Sequence, residues 1–65
     1  MDKLKLEYIL KVHEITKQTL IDTQDWGNST YYRKMAGESD WSVAEINRLM
    51  TLGVTLTEVI DIFFK

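Results

Sequence analysis

The sequence predicts an all-α fold of five short helices, and three observations lead to that prediction. Apolar residues recur at intervals of three and four, which is the spacing of a helix with one buried face. Helix-capping patterns precede several of these stretches, and no stretch shows the alternation of a β-strand. Proline is absent, and the three glycines, at 27, 37 and 53, fall between the predicted helices. The predicted helices span about residues 2–14, 17–24, 28–35, 43–52 and 56–64.

The first predicted helix has apolar residues at helical spacing and charged residues on its other side. The apolar residues are Leu4, Tyr8 or Leu6, Ile9, Leu10 and Val12, and the charged ones are Lys3, Lys5, Glu7, Lys11 and Glu14. His13 follows near the end of this helix, where an imidazole interacts favourably with the negative end of the helix dipole. We interpret His13 as a partly exposed helix-end residue rather than as a catalytic base.

The second and third predicted helices are joined by a tight turn. Thr16 can cap the second helix, which runs to about Gln24. Asp25, Trp26 and Gly27 form the turn, since Asp tolerates a left-handed backbone and Gly27 frees the chain before the next helix. A polar and basic segment then begins the third helix. This arrangement is a helix-turn-helix.

Such a helix pair can place its second helix in the major groove of DNA while the first lies across the backbone. No acidic residue lies between Trp26 and Gly37. We predict base contacts from Asn28, Ser29 and Arg33, and phosphate contacts from the following residues: Lys17, Thr30, Tyr32 and Lys34. The alternative is an ordinary helical hairpin whose polar side faces water.

The fourth and fifth predicted helices each begin with a capping box. Ser42 with Glu45 starts the fourth, and Thr55 with Glu58 starts the fifth. In the fifth helix we expect the following residues to face the core: Leu56, Val59, Ile60 and Phe63. Ile62 and Phe64 would then point elsewhere, and apolar groups rarely stay together in water without a partner. We therefore predict a protein contact, as a homodimer or with another protein, at the following residues: Ile62, Phe64, Glu58 and Asp61.

From Ile15 onward the chain resembles the phage-repressor and Cro-like helix-turn-helix family, whose fold is that of the lambda-repressor-like DNA-binding domain. Ten residues fall on the family pattern without a gap: Ile15, Thr16, Leu20, Trp26, Ser29, Thr30, Tyr31, Tyr32, Arg33 and Gly37. The chain departs from the pattern at Gln24, where the family has a core Leu, and at Asp25, where it has Gly. The resemblance implies a transcriptional regulator, with Trp26 in the core under the turn and a double-stranded DNA operator as partner. It also implies pairing of two copies to read two half-sites.

The charge distribution leaves a second hypothesis open. The formal net charge is −2, whereas non-specific affinity for DNA comes largely from lysine and arginine. Residues 1 to 37 carry a net +1 and residues 38 to 65 a net −3. An antirepressor or modulator of the same fold could use the acidic half to bind a repressor or a host protein instead of DNA.

Length and composition exclude several other classes of protein. At 65 residues, we expect one domain with one small core. Cysteine is absent, so neither disulfides nor thiolate metal sites are expected, and a single histidine offers no metal pair and no nucleophile–base couple. We predict no catalytic residue, no metal, no cofactor and no small-molecule ligand. No apolar run is long enough to span a membrane, and we expect a cytoplasmic protein.

Overall fold

The computed structural model describes residues 1–65 and folds them into five α-helices with no strand. The helices are α1 (Lys3–Val12), α2 (Lys17–Gln24), α3 (Asn28–Ala36), α4 (Val43–Thr51) and α5 (Leu56–Phe63). The all-α prediction is therefore confirmed, and each helix end lies within two residues of its predicted position. No helix combines the length and the apolar character that crossing a membrane requires.

Capping side chains set the starts of four of the helices. Asp2 accepts a hydrogen bond from the backbone of α1, and Thr16 does the same for α2. Both predicted capping boxes are present, with Ser42 and Glu45 at α4 and Thr55 and Glu58 at α5. These bonds satisfy backbone N–H groups that have no partner inside the helix. The helix starts are therefore determined by local sequence.

In the turn between α2 and α3, the residue with a left-handed backbone conformation is Asp25, directly before Trp26. Asp25 adopts φ 56° and ends α2, as the sequence predicts. Gly27 has φ −84°, an ordinary extended conformation, so the predicted need for glycine at this position is wrong. Gly37, which ends α3 at φ 79°, is a position where glycine is required.

Ten apolar residues form one core to which α1, α2, α4 and α5 and the adjoining loops contribute. They are Leu6, Ile9, Leu10, Ile15, Leu20, Ile46, Leu49, Val54, Val59 and Ile62. α1 and α5 pack antiparallel, because the backbone N–H of Asp2 donates to Ile62 at one end and His13 bonds Glu58 at the other. α3 contacts α1 and α2 and contributes half-buried side chains rather than fully buried ones.

Two helices bury a different face from the predicted one. In α1 the core takes Leu6, Ile9 and Leu10, whereas three further residues assigned to the apolar set are exposed: Leu4, Tyr8 and Val12. In α5 the core takes Val59 and Ile62, whereas Leu56 and Ile60 face solvent. Both helices carry more apolar residues than one face can hold, so packing between α1 and α5 decides which of them are buried.

Candidate nucleic-acid interface

One carboxylate, that of Glu45 at the third residue of α4, forms hydrogen bonds to α3 and to the turn before it. Its Oε1 accepts hydrogen bonds from Lys34 Nζ at 2.8 Å and from the Ser42 N–H at 2.8 Å. Its Oε2 accepts a hydrogen bond from Trp26 Nε1 at 2.7 Å. Glu45 therefore joins the turn before α3, the later part of α3 and the start of α4.

The surroundings of Glu45 strongly favour its ionised form. Burial by itself raises the pKa of Glu45, but the hydrogen bonds from Lys34, Ser42 and Trp26, together with the charge of Lys34, outweigh burial. They lower the pKa from 4.5 to about 2. Because the pKa is lower in the folded state, the ionised carboxylate stabilises the fold.

Acidification is therefore expected to destabilise the protein in a defined range. The contribution of Glu45 is fully present above about pH 4.5 and is lost as the pH falls toward its folded-state pKa of about 2. The loss amounts to about 3 kcal/mol in the free energy of unfolding. Urea unfolding followed by circular dichroism at pH 7, 4.5, 3 and about 2 measures it, with a Glu45→Gln variant as the reference. An equally steep decline in that variant would assign the acid sensitivity to other groups.

The sequence position of Lys34 places it among the predicted phosphate-contacting residues, but its side chain points inward in the structure. Its Nζ donates to Glu45 and to the backbone carbonyl of Asp40, and only 12% of the side chain is exposed. An ammonium group held in this way is neutralised by its carboxylate partner. Lys34 links α3 to the start of α4 through this ion pair, and its charge is engaged within the chain.

Gln24 occupies the core position where the resemblance implies a leucine. It is almost fully buried, and its Nε2 donates to the backbone carbonyl of Glu45 at 2.8 Å. Its Oε1 accepts a hydrogen bond from Arg48 Nη1 at 3.4 Å. The buried amide is thus satisfied at both ends, and it fixes the end of α2 to α4.

The two tyrosines of α3 differ in burial. Tyr31 is half-buried and packs against the core, whereas Tyr32 is exposed. Lys17 Nζ donates to the Tyr32 hydroxyl at 2.8 Å and lies 4.5 Å from the centre of the Tyr32 ring. This contact links the first turn of α2 to the exposed side of α3 and keeps the Lys17 charge beside it.

The exposed face of α3 presents polar side chains with no partner in the chain. Ser29, Tyr32, Arg33 and Ala36 are spaced at i, i+3, i+4 and i+7, and all are exposed. Asn28 is also exposed, at the first turn, and Thr30 is half-buried. The side chains of Asn28, Ser29 and Arg33 make no hydrogen bond or ion pair within the structure. They are therefore available to an external acceptor or donor.

The sequence predicts a protein contact at four residues in and directly after α5, and of these only Phe64 is freely exposed. Ile62 has 0% of its surface exposed and belongs to the core, so its predicted role is wrong. His13 Nε2 donates to Glu58 Oε1 at 2.8 Å, and hydrogen bonds from the backbone N–H of Thr55 and from His13 lower the pKa of Glu58. A hydrogen bond from Lys65 lowers the pKa of Asp61. His13 is half-buried and bonded to Glu58, as expected of a partly exposed helix-end residue.

The sequence predicts Glu45 only as a capping residue and does not reveal its contacts with Trp26 and Lys34. The sequence contains one signal for them, since a tryptophan N–H placed under a turn needs an acceptor. That signal does not identify which carboxylate accepts. Comparisons with protein-family models, with curated proteins and with solved structures find no match for this chain.

Proposed function

We propose that this chain is a small transcriptional regulator of the phage-repressor or Cro-like kind, with α2 and α3 as its helix-turn-helix. The observation that carries the proposal is the exposed face of α3, where Asn28, Ser29 and Arg33 are unpaired and no acidic residue interrupts them. A helix with such a face suits the major groove, whose base edges offer both hydrogen-bond donors and acceptors.

The proposed roles follow from where each side chain lies. Arg33 is the candidate for a bidentate contact to guanine, while Asn28 and Ser29 stand at the first turn of α3, which enters the groove foremost. Lys17 and Tyr32, joined by their hydrogen bond, lie beside this face and are assigned to the phosphate backbone, with Thr30 as a further contact. Lys34 has no place in this set.

The small number of free cations sets the expected strength of binding. Lys17 and Arg33 are the two basic side chains beside the exposed face of α3, since Lys34 is paired with Glu45. Because Arg33 is assigned to a base, Lys17 is the cation left for phosphate, and one such contact corresponds to a slope of about −1 in a plot of log affinity against log salt concentration. A single copy is therefore expected to bind weakly, and a pair of copies would double the slope.

Replacing Arg33 by alanine is expected to weaken binding to the flanking DNA about tenfold and to reduce the preference for it over random duplex, because a base contact is lost. Fluorescence anisotropy measures this, with labelled DNA that flanks the gene and with random duplex, each at two salt concentrations. Lys65→Ala is the matched control, because it removes one positive charge at the end of α5, which does not contact α3. Absence of binding at micromolar protein and low salt would contradict the proposal.

The modulator hypothesis remains the second candidate because one observation favours it. α5 exposes Leu56, Ile60 and Phe64 at i, i+4 and i+8, in the acidic half of the chain. An apolar ridge in acidic surroundings suits the basic DNA-binding face of a repressor. Under this hypothesis Arg33→Ala leaves binding to the partner protein intact, whereas DNA binding is absent from the start.

A further inference from the structure

α1 carries a row of large apolar side chains on the face directed away from the core. Leu4, Tyr8 and Val12 are 79%, 65% and 54% exposed and stand at i, i+4 and i+8. Residues at this spacing form a continuous ridge along a helix, and such ridges pack into the grooves of a second helix. No residue of the chain covers this ridge.

The two edges of the ridge differ in charge. Glu7 and Lys11 lie on the edge that borders α3, since both line a shallow groove together with Tyr31 and Met35 of α3. Neither makes an ion pair within the chain. The other edge carries Lys5, which lies near Asp61 of α5 and, after Lys65, contributes to the lowered pKa of that carboxyl.

We propose that the Leu4–Tyr8–Val12 ridge is an interface between two copies of this chain, which pair antiparallel about a twofold axis at Tyr8. In that register Leu4 meets the partner's Val12, and the two Tyr8 rings meet at the axis. The twofold axis stands normal to the plane that contains both α1 helices. The Glu7–Lys11 edge of one copy therefore lies beside the same edge of its partner. Lys11 then lies one helical turn or less from the partner's Glu7, so the ridge and its charged edge are both self-complementary.

The pairing has a consequence for α3. Because the Glu7–Lys11 edge borders α3 and faces the same edge of the partner, both α3 helices lie on the same side of the pair. If α3 binds DNA as proposed above, the pair presents two copies of its exposed face to one duplex. This consequence rests on the proposed function, whereas the pairing itself does not.

The size of the interface predicts a weak dimer. One ridge of three side chains buries less than the roughly 800 Å² per partner of a standard stable interface. We expect a dissociation constant of about 10–500 μM. Sedimentation equilibrium without DNA, from about 10 μM to 1 mM protein, measures this association and keeps it separate from any failure to bind DNA.

Tyr8→Lys is expected to raise the dissociation constant at least about tenfold, because it places two ammonium groups at the axis. Tyr8 is exposed, so circular dichroism should show an unchanged helix content. Leu56→Lys is the matched control, since it makes the same kind of change on the exposed ridge of α5. A chain that stays monomeric up to 1 mM would overturn the proposal. A dimer lost in Leu56→Lys and kept in Tyr8→Lys would do so as well.

A charge exchange tests the register. Glu7→Lys and Lys11→Glu should each weaken the dimer several-fold, because each places like charges across the interface. The double variant restores opposite charges and should return the dissociation constant to within about threefold of the unchanged protein. If the dissociation constant of the double variant rises by the product of the two single effects, Glu7 and Lys11 do not meet across the interface and the proposed register is wrong.

Discussion

Replacing Glu45 by alanine is expected to lower the free energy of unfolding by about 4 kcal/mol. The change leaves the Lys34 ammonium and the Trp26 N–H without their acceptor, at a site where Glu45 is only 13% exposed. It also removes the capping box of α4. The expected loss is comparable to the whole stability of a domain of this size, about 3–10 kcal/mol. Urea denaturation followed by tryptophan fluorescence measures it.

A double variant separates the loss of the carboxylate from the burial of an unpaired charge. Glu45→Gln alone leaves Lys34 charged and unpaired, whereas Lys34→Met together with Glu45→Gln removes both charges. We expect the double variant to recover at least half of the stability lost in Glu45→Gln, because the unpaired ammonium is the larger penalty. Glu38→Gln is the matched control, since Glu38 is exposed and its side chain makes no hydrogen bond. A double variant no more stable than Glu45→Gln would mean that Glu45 and Lys34 do not act as a pair.

The helix boundaries were predictable because they depend on residues close together in sequence. Thr16, Ser42 and Thr55 each accept a hydrogen bond from the backbone N–H three residues later. Asp25 ends α2 through its own backbone conformation. Such signals lie within one turn of helix, so they can be recognised without knowing what the helix packs against.

The direction in which several side chains point was not predictable, because it depends on distant contacts. Lys34 looks like an exposed basic residue in its own helix, and it turns inward only because Glu45, eleven residues later, accepts its hydrogen bond. In α1, Leu4 and Leu6 both fit a helical apolar pattern, and only packing against α5 buries the second of them. The pairing with Glu45 therefore leaves Lys34 out of the exposed face of α3.

The orientation of α5 is tested by a pair of substitutions on that helix. Ile62→Ala is expected to lower the free energy of unfolding by about 4 kcal/mol, since Ile62 is completely buried and its loss leaves a cavity in the core. Phe64→Ala, the matched control, should change it by less than about 0.5 kcal/mol, because Phe64 is 68% exposed. Urea unfolding of both variants measures the difference. A small loss in both variants would restore the face predicted from the sequence, which leaves Ile62 and Phe64 outside the core. The expected order instead means that α5 offers Leu56, Ile60 and Phe64 to solvent, and that any partner of this helix meets those three side chains.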